Sequence, residues 1–513
     1  MSIIATDMRN IAVLNGIKLS RFAWEKIIDD KNALQAVYDY SGRLPEVEKV
    51  VILLSSEQDR SRISESGFAD LQAVFKENWT VAGLLSSLQE LAQDYDHVFY
   101  LFADCPLLDN TISAEMFGNH IEYFADYTFA DGYPYGLTPE IIRSKTIPVL
   151  AALAGKGENE PGRDTIFEVI KKDINAFDIE TEISPMDLRM LRVSLATDCK
   201  RNFILLKRLI GAGARDSQST CKILRDKGEY LRTLPSFFNI QIVEGCPQLC
   251  SYCPYPQVSI KSTGKKEEMK LKNFRKIIDQ IEEFCEDAVI SISLWGEPSY
   301  HSSIVEIVNY VQNKKNLRLL IETSGIGWQE SCLSELKEKM DEKQKLPEWI
   351  VSLDAHTPAV YRDLRGEGFT EAKLFIKLLM DYFPERVYVQ AVRMKSNEDD
   401  LEIFYREWKK INDKVIIQKY DSFCGLLPDH KVTDLSPIKR FPCWHIKRDV
   451  NILLDGSVPL CREDISAGHN LGNVLKQGLA EVWENGKVFY LEQLKGEYPD
   501  ICQKCDEYYT YNF

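Results

Sequence analysis

Cys246-Pro247-Gln248-Leu249-Cys250-Ser251-Tyr252-Cys253 decides the reading of this chain. Its cysteines stand at C-x3-C-x2-C spacing, the last preceded by an aromatic, just after the strand-like run Phe237 to Val243. Thiolate is a soft ligand, and three thiolates from one short loop can hold three irons of a cubane cluster. The fourth iron is then left without a protein ligand and can bind and reduce a substrate. A partial zinc knot is the plain alternative.

Outward from this loop the chain alternates. Strand-like runs at Phe237–Val243, Ala288–Leu294, Leu317–Glu322, Glu348–Leu353, Arg386–Met394 and Lys414–Tyr420 are separated by helical patterns. In one of these, Phe274, Ile277, Ile278, Ile281 and Phe284 follow the spacing of a face that packs on a sheet. Six strand–helix units are too few to close an eight-stranded barrel, so an open, partial (β/α)6 barrel is expected, with chemistry at the carboxyl ends of its strands. Those ends are polar or glycine-rich: Trp295-Gly296-Glu297-Pro298, Glu322-Thr323-Ser324-Gly325, Ser352-Leu353-Asp354-Ala355-His356 and Gln390 to Met394.

The loop and this order of strand ends resemble the radical S-adenosylmethionine (SAM) superfamily. The resemblance implies a [4Fe-4S] cluster on Cys246, Cys250 and Cys253, with SAM chelated at the open iron and Tyr252 beside it. Gly296, Glu297 and Pro298 are similar to the family's glycine-glutamate-proline motif, expected at the methionyl end of SAM. Thr323 and Ser352 offer polar atoms to the cofactor. Tyr361-Arg362-Asp363-Leu364-Arg365-Gly366 is similar to a run near the SAM carboxylate in radical SAM maturases. A carboxylate suits a fork of N–H donors, so Arg365 is the candidate, with Arg362 the rival. Arg393 on the fifth strand joins the set.

Four more cysteines follow: Cys443, Cys461, Cys502 and Cys505. Asp455-Gly456 reads as a hairpin turn ahead of Cys461. With Leu471-Gly472-Asn473-Val474 and Ala480-Glu481-Val482-Trp483, this run resembles the SPASM extension in its shorter twitch form, which implies one auxiliary [4Fe-4S] cluster. A four-cysteine zinc site is the alternative. Cys105, Cys199, Cys221, Cys285, Cys332 and Cys424 lack ligand spacing; Cys285 reads as core, and Cys424, near the barrel mouth before Gly425, could be an extra ligand.

Before the barrel, Ile11–Leu14, Val50–Ser55 and His97–Phe102 read as buried strands of an open α/β sheet. The run Ala103 to Asp109, the stretch Asp131 to Glu140 and the stretch Leu191 to Asp198 are similar to sugar nucleotidyltransferases of GT-A/Rossmann-like fold, which implies Mg2+ on Asp104. Two departures point to a degenerate domain. Leu14 to Arg21 has a single glycine where the family has a glycine-rich phosphate loop, and Ala196 stands where it has a second metal aspartate, although Asp198 is close by.

At 513 residues, 44% hydrophobic and 27% charged, the chain reads as several globular domains. The expected boundaries are 1–215 for the nucleotidyltransferase-like domain, 216–234 for a linker, 235–430 for the barrel and 431–513 for the iron-sulfur extension. A net charge of −15 argues against a nucleic-acid surface, and no apolar stretch suggests a membrane span. Met1 to Asn10 has no export pattern, and thirteen cysteines then point to metal in a reducing cytoplasm. The whole resembles spiro-SPASM proteins. It implies a radical SAM enzyme that abstracts hydrogen from a peptide or a carbohydrate or nucleotide-sugar substrate, fed by a donor such as flavodoxin or ferredoxin. The rival readings are a metal-dependent nucleotidyltransferase with a regulatory iron-sulfur half, and a non-catalytic iron-sulfur scaffold.

Overall fold

The computed structural model describes residues 8–65, 68, 71–157, 159–255, 267–339 and 346–510; residues 1–7, read above for an export signal, lie outside them. The chain divides into two compact units, Met1–Thr233 and Leu234–Phe513. Among the described residues no helix is long and apolar enough to cross a membrane.

The first unit contains β1 (Asn10–Gly16), a small hairpin of β2 (Lys26–Ile28) and β3 (Lys31–Asn32), β4 (Val47–Leu54), β5 (Gln72–Phe75), β6 (His97–Phe102), β7 (Tyr127–Asp131), β8 (Glu140–Arg143) and β9 (Ile179–Ile183). Seven of these strands form one sheet in the order β5-β4-β1-β6-β8-β7-β9. Only β8 runs against its neighbours. The central strands are continuously apolar because both faces are covered. Alternation sends Val13, Leu53 and Tyr100 to one face, under the helices Val81–Leu91 and Ile147–Ala154. Leu14, Leu54 and Leu101 go to the other, under Ala33–Ser41 and Asn110–Glu122.

Of residues 216–234, expected to be a linker, 216–233 are part of this unit. Asp216 caps a helix, Ser217–Asp226, through a capping box with Ser219. Cys221 and Leu224 on that helix pack against Leu205, Leu206 and Leu209. Its polar exposed face hid these two buried positions from composition.

The second unit contains β10 (Phe237–Ile240), β11 (Ala288–Ser291), β12 (Leu317–Thr323), β13 (Glu348–Ser352), β14 (Val387–Arg393), β15 (Val415–Lys419), β16 (Asp449–Ile452) and a hairpin of β17 (Ser457–Pro459) and β18 (Asn470–Asn473). The main sheet is wholly parallel, in the order β15-β14-β13-β12-β11-β10-β16. Six of its strands are those expected. The seventh, β16, comes from the extension and pairs with β10 from Phe237↔Asp449 to Ile240↔Ile452. Asn239 and Asn451, both buried, join side chains across the pair at 2.9 Å.

Helices cover one face of this sheet; on Leu271–Cys285 Phe274, Ile277, Ile278 and Ile281 of the expected stripe are buried, as is Cys285, while Phe284 is half-buried. On the inner face Phe237, Val289, Leu320 and Ile350 form an apolar plug. Two residues further along each strand, on the same face, come Asn239, Ser291, Glu322 and Ser352. A polar layer therefore lies above the plug, towards the strand ends that carry the cysteine loop.

Candidate active site

The cysteine loop leaves β10 and is held from the far side of the sheet. Leu249 and Ser251 donate backbone N–H groups to the carbonyls of Arg365 (3.1 Å) and Leu364 (2.8 Å). Buried Gln248 accepts from Tyr361 and from Arg365 Nε, each at 3.2 Å, and donates to the Glu367 carbonyl at 2.7 Å. Tyr252 donates its hydroxyl to Asp354 at 2.6 Å, and Arg365 Nη1 reaches both groups. The Arg365 and Asp354 side chains are 5% and 0% exposed. Asp354, at φ +63, also accepts the Val392 N–H at 2.7 Å, while Asn397 ties the Asp354 and Val392 carbonyls together. The loop is thus fixed to the ends of β13 and β14 by one buried polar network.

Arg365, expected at a cofactor carboxylate, has its Nε and Nη1 engaged inside the protein, where they brace the cysteine loop. Arg362 is exposed and pairs with Glu367 at 2.8 Å. Arg393 is likewise at the rim, clasping Glu398. The residues that do the holding also include Gln248, Asp354 and Tyr361, whose signal in the sequence is polarity at positions that strand and helix periodicity bury.

Glu297 is another brace. Its buried carboxylate accepts from Thr323 Oγ1 (2.5 Å), Ser324 N–H (2.8 Å) and Ser324 Oγ (2.7 Å), tying the end of β11 to that of β12. Burial raises its pKa, and these donors oppose the rise. Thr323 Oγ1 in turn accepts from Gly325 N–H (3.0 Å) and Trp328 Nε1 (2.8 Å). Pro298 opens the short turn that Glu297 caps. At Gly296, φ is +83, and a Cβ would lie 2.3 Å from the Val243 carbonyl oxygen. Only glycine lets the two strand ends approach so closely. Ser352 is half-buried and receives the Gln390 amide at 3.4 Å. Beside this rim Trp295 stacks on Tyr255 at 5.9 Å and 7°.

Burial raises the Cys250 thiol and pushes Cys253 up to about 12. Burial thus favours the protonated thiols, and a bound metal would displace those protons.

The C-terminal thiols also converge. Gln493 accepts the Cys443 N–H at 2.8 Å and donates to Cys502 Sγ at 3.6 Å. Cys505 follows Cys502 in a turn and accepts the Glu507 N–H at 3.3 Å. The Cys461 thiol is raised by burial, by Glu463 and by Cys443, Cys505 and Cys502 around it. Next to it, Arg462 pairs with Glu463 at 2.8 Å and with Asp421 at 3.1 Å.

In the first unit Asp104 lies just beyond β6, 3% exposed. Its carboxylate is clasped by both terminal nitrogens of Arg163, which also reaches Asp198 at 3.3 Å and Tyr135 at 3.2 Å. The guanidinium lies over the Phe102 and Tyr135 rings, at 4.9 and 5.1 Å. Burial raises Asp104 and Arg163 lowers it. This corrects the Mg2+ expectation: the position between the two carboxylates is held by a fixed organic cation. Asp198 does stand near Asp104 as its closeness in sequence to Ala196 suggested, but Arg163, in a polar loop, carried no signal.

The profile of the Radical SAM superfamily matches residues 240–407, and that of the SPASM iron-sulfur cluster-binding domain matches residues 443–506. The chain belongs to the radical SAM superfamily, as an enzyme with a SPASM region behind its barrel. Its cofactors are a [4Fe-4S] cluster, SAM and auxiliary iron-sulfur chemistry in the SPASM region. An "Uncharacterized protein" of Treponema pallidum (strain Nichols) is 39% identical over 361 residues, covering 68% of this chain and 98% of that one. The PqqA peptide cyclase of Xanthomonas oryzae pv. oryzae is 23% identical over 300 residues, 52% of this chain and 78% of the cyclase. Among solved structures, Streptococcus suis SuiB bound to precursor peptide SuiA aligns with a TM-score of 0.42 at 14% identity, covering 68% of this chain and 85% of SuiB.

Proposed function

We propose that this enzyme modifies a peptide by SAM-dependent hydrogen abstraction at the barrel mouth of its second unit. The observation that carries the reading is the three-cysteine loop, fixed by a buried network at the strand ends above a polar lumen. The donor set fits the cofactors. Cys246, Cys250 and Cys253 are three soft ligands on one loop, and Gly296 lets the end of β11 close against the Val243 carbonyl at the root of that loop. These cysteines would hold the cluster, with SAM met by the Gly296 backbone and by lumen residues such as Ser352 and Gln390. When bound, the pair supplies reductive cleavage of SAM and the radical that takes a hydrogen from substrate.

The protein's own contribution is orientation and a dry site. Arg365, Asp354, Tyr252 and Gln248 fix the loop; Glu297, Thr323 and Ser324 fix the neighbouring strand ends. Tyr255 and Trp295 present an apolar face at the rim, and Asn239, Ser291 and Glu322 line the floor with hydrogen-bonding groups. The peptide class is supported by the similarity to the PqqA peptide cyclase. Cys443, Cys461, Cys502 and Cys505 would hold one auxiliary cluster. Nucleotidyl transfer is not part of the reading, because Arg163 takes the cation's place between Asp104 and Asp198.

Anaerobic reconstitution, followed by assay for 5′-deoxyadenosine with SAM and dithionite, tests the core of it. Product formation lost in Cys250→Ala is expected. Iron without SAM cleavage would defeat the enzyme mechanism, and cleavage stimulated by a sugar nucleotide but by no peptide would defeat the substrate class.

A further inference from the structure

Cys424 has no partner at ligand spacing in the sequence, yet the fold delivers it to the auxiliary thiols. It lies in a turn after β15 in which Phe423, Cys424 and Gly425 take φ values of 50, 57 and 85. Asp421 fixes the turn by accepting the Phe423 N–H at 2.8 Å, and Leu427 N–H closes it on the Ser422 carbonyl at 3.0 Å. The turn lies against the auxiliary segment: Asp421 pairs with Arg462 at 3.1 Å, the Arg462 guanidinium is 6.0 Å from the Phe423 ring, and a Cβ on Gly425 would meet the Lys504 side chain at 3.7 Å. There the half-buried Cys424 thiol is hydrogen-bonded to Cys505. Gln493 bridges Cys443 and Cys502, the turn from Cys502 leads to Cys505, and Cys461 adjoins Arg462. Five thiols therefore gather in one region, and a cubane has four irons.

We propose that Cys424 is a fifth ligand of the auxiliary site, able to take over the iron held by Cys505. The proposal rests on the auxiliary-cluster reading above. The hydrogen bond between the two thiols would put both within reach of one metal position, while Cys443, Cys461 and Cys502 supply the other three. The exchange is redox-neutral: Cys424 gives up its proton as its sulfur bonds iron, and the departing Cys505 sulfur takes one up. The same turn carries Phe423, whose ring lies 5.8 Å from Trp295 at the barrel rim. Ligation by Cys424 would thus bind the auxiliary site to the element that packs against the substrate mouth.

The test uses the full chain with Cys246, Cys250 and Cys253 all replaced by alanine, so that only the auxiliary site is loaded during anaerobic reconstitution. The parent should bind about four irons. Cys505→Ala should retain that iron with an altered electron paramagnetic resonance spectrum, Cys443→Ala should lose it, and Cys424→Ala/Cys505→Ala should lose it too. Loss in Cys505→Ala equal to that in Cys443→Ala, repeated in Cys505→Ser with circular dichroism unchanged, would overturn the proposal. Cys424→Ala alone should also shift the spectrum, and an unchanged one would count against it. Zinc in place of iron in the parent would instead remove the auxiliary-cluster reading itself.

Discussion

Replacing Asp354 with asparagine isolates the charge that holds the cysteine loop. The substitution keeps the shape and the acceptor for Val392 N–H, but leaves the Arg365 guanidinium, 5% exposed, without its counter-charge. Breaking a buried pair from one side costs about 3–5 kcal/mol, because the stranded ion has neither water nor partner. Asp354→Asn should therefore lose about 4 kcal/mol of second-unit stability. Replacing both partners, as Asp354→Asn/Arg365→Met, should recover much of it, since an apolar side chain of similar volume needs no counter-ion. Guanidinium titration followed by tryptophan fluorescence reads this unit, which holds Trp295, Trp328, Trp349, Trp408, Trp444 and Trp483. Iron analysis should show the three-cysteine loop emptied in the single variant while the auxiliary site keeps its metal. A loss below about 1 kcal/mol, or a double variant as unstable as the sum of the singles, would refute the clamp.

Three other variants probe further features. Gly296→Ala brings a Cβ to 2.3 Å from the Val243 carbonyl and adds left-handed strain of about 1–2 kcal/mol; SAM affinity by equilibrium dialysis should fall at least tenfold, and unchanged binding would show that the strand ends can part. In the first unit His97 and His120 are hydrogen-bonded at 3.0 Å, and burial lowers them to about 4 and about 3. Because the unfolded chain takes up these protons first, stability should decline as pH falls from about 6.5 towards 4, by about 3 kcal/mol from His97 alone; His97→Phe/His120→Phe should flatten the slope, and the same slope in that variant would assign it elsewhere. Arg163→Ala strands buried Asp104 and should cost about 3 kcal/mol, and Mg2+ should raise the melting temperature of the variant but not of the parent. Equal Mg2+ effects on both would show that the arginine does not stand in for the cation.

Much of the second unit was legible because its strands, helices and cysteine spacing are local patterns. The stripe on Leu271–Cys285 and the order of β10 to β15 need only neighbouring residues to be recognised. What escaped depends on pairs far apart in the chain. Arg365 reads as an available cation until Asp354, Tyr252 and Gln248 close around it, and Arg393 until Glu398 does. Arg163 meets Asp104 across 59 positions. β16 is four residues long, too short for periodicity, and its identity as a barrel strand exists only through β10. Cys424 lacks a spaced partner because its neighbours are assembled by folding, not by sequence.

The pairing of β10 with β16 also sets the timetable of synthesis. Asn239 and Asn451 are 212 residues apart, and at 5–20 residues per second the ribosome needs about ten to forty seconds to go from one to the other. Throughout that interval β10, with Phe237, Phe238 and Ile240, has its β16-side edge unpaired next to the cysteine loop it carries. An open apolar edge is a template for pairing with another chain. The nascent protein is therefore most exposed to aggregation and to oxygen at its metal-binding loop until β16 emerges, and slowing translation between the two strands should lower the yield of soluble, iron-loaded protein.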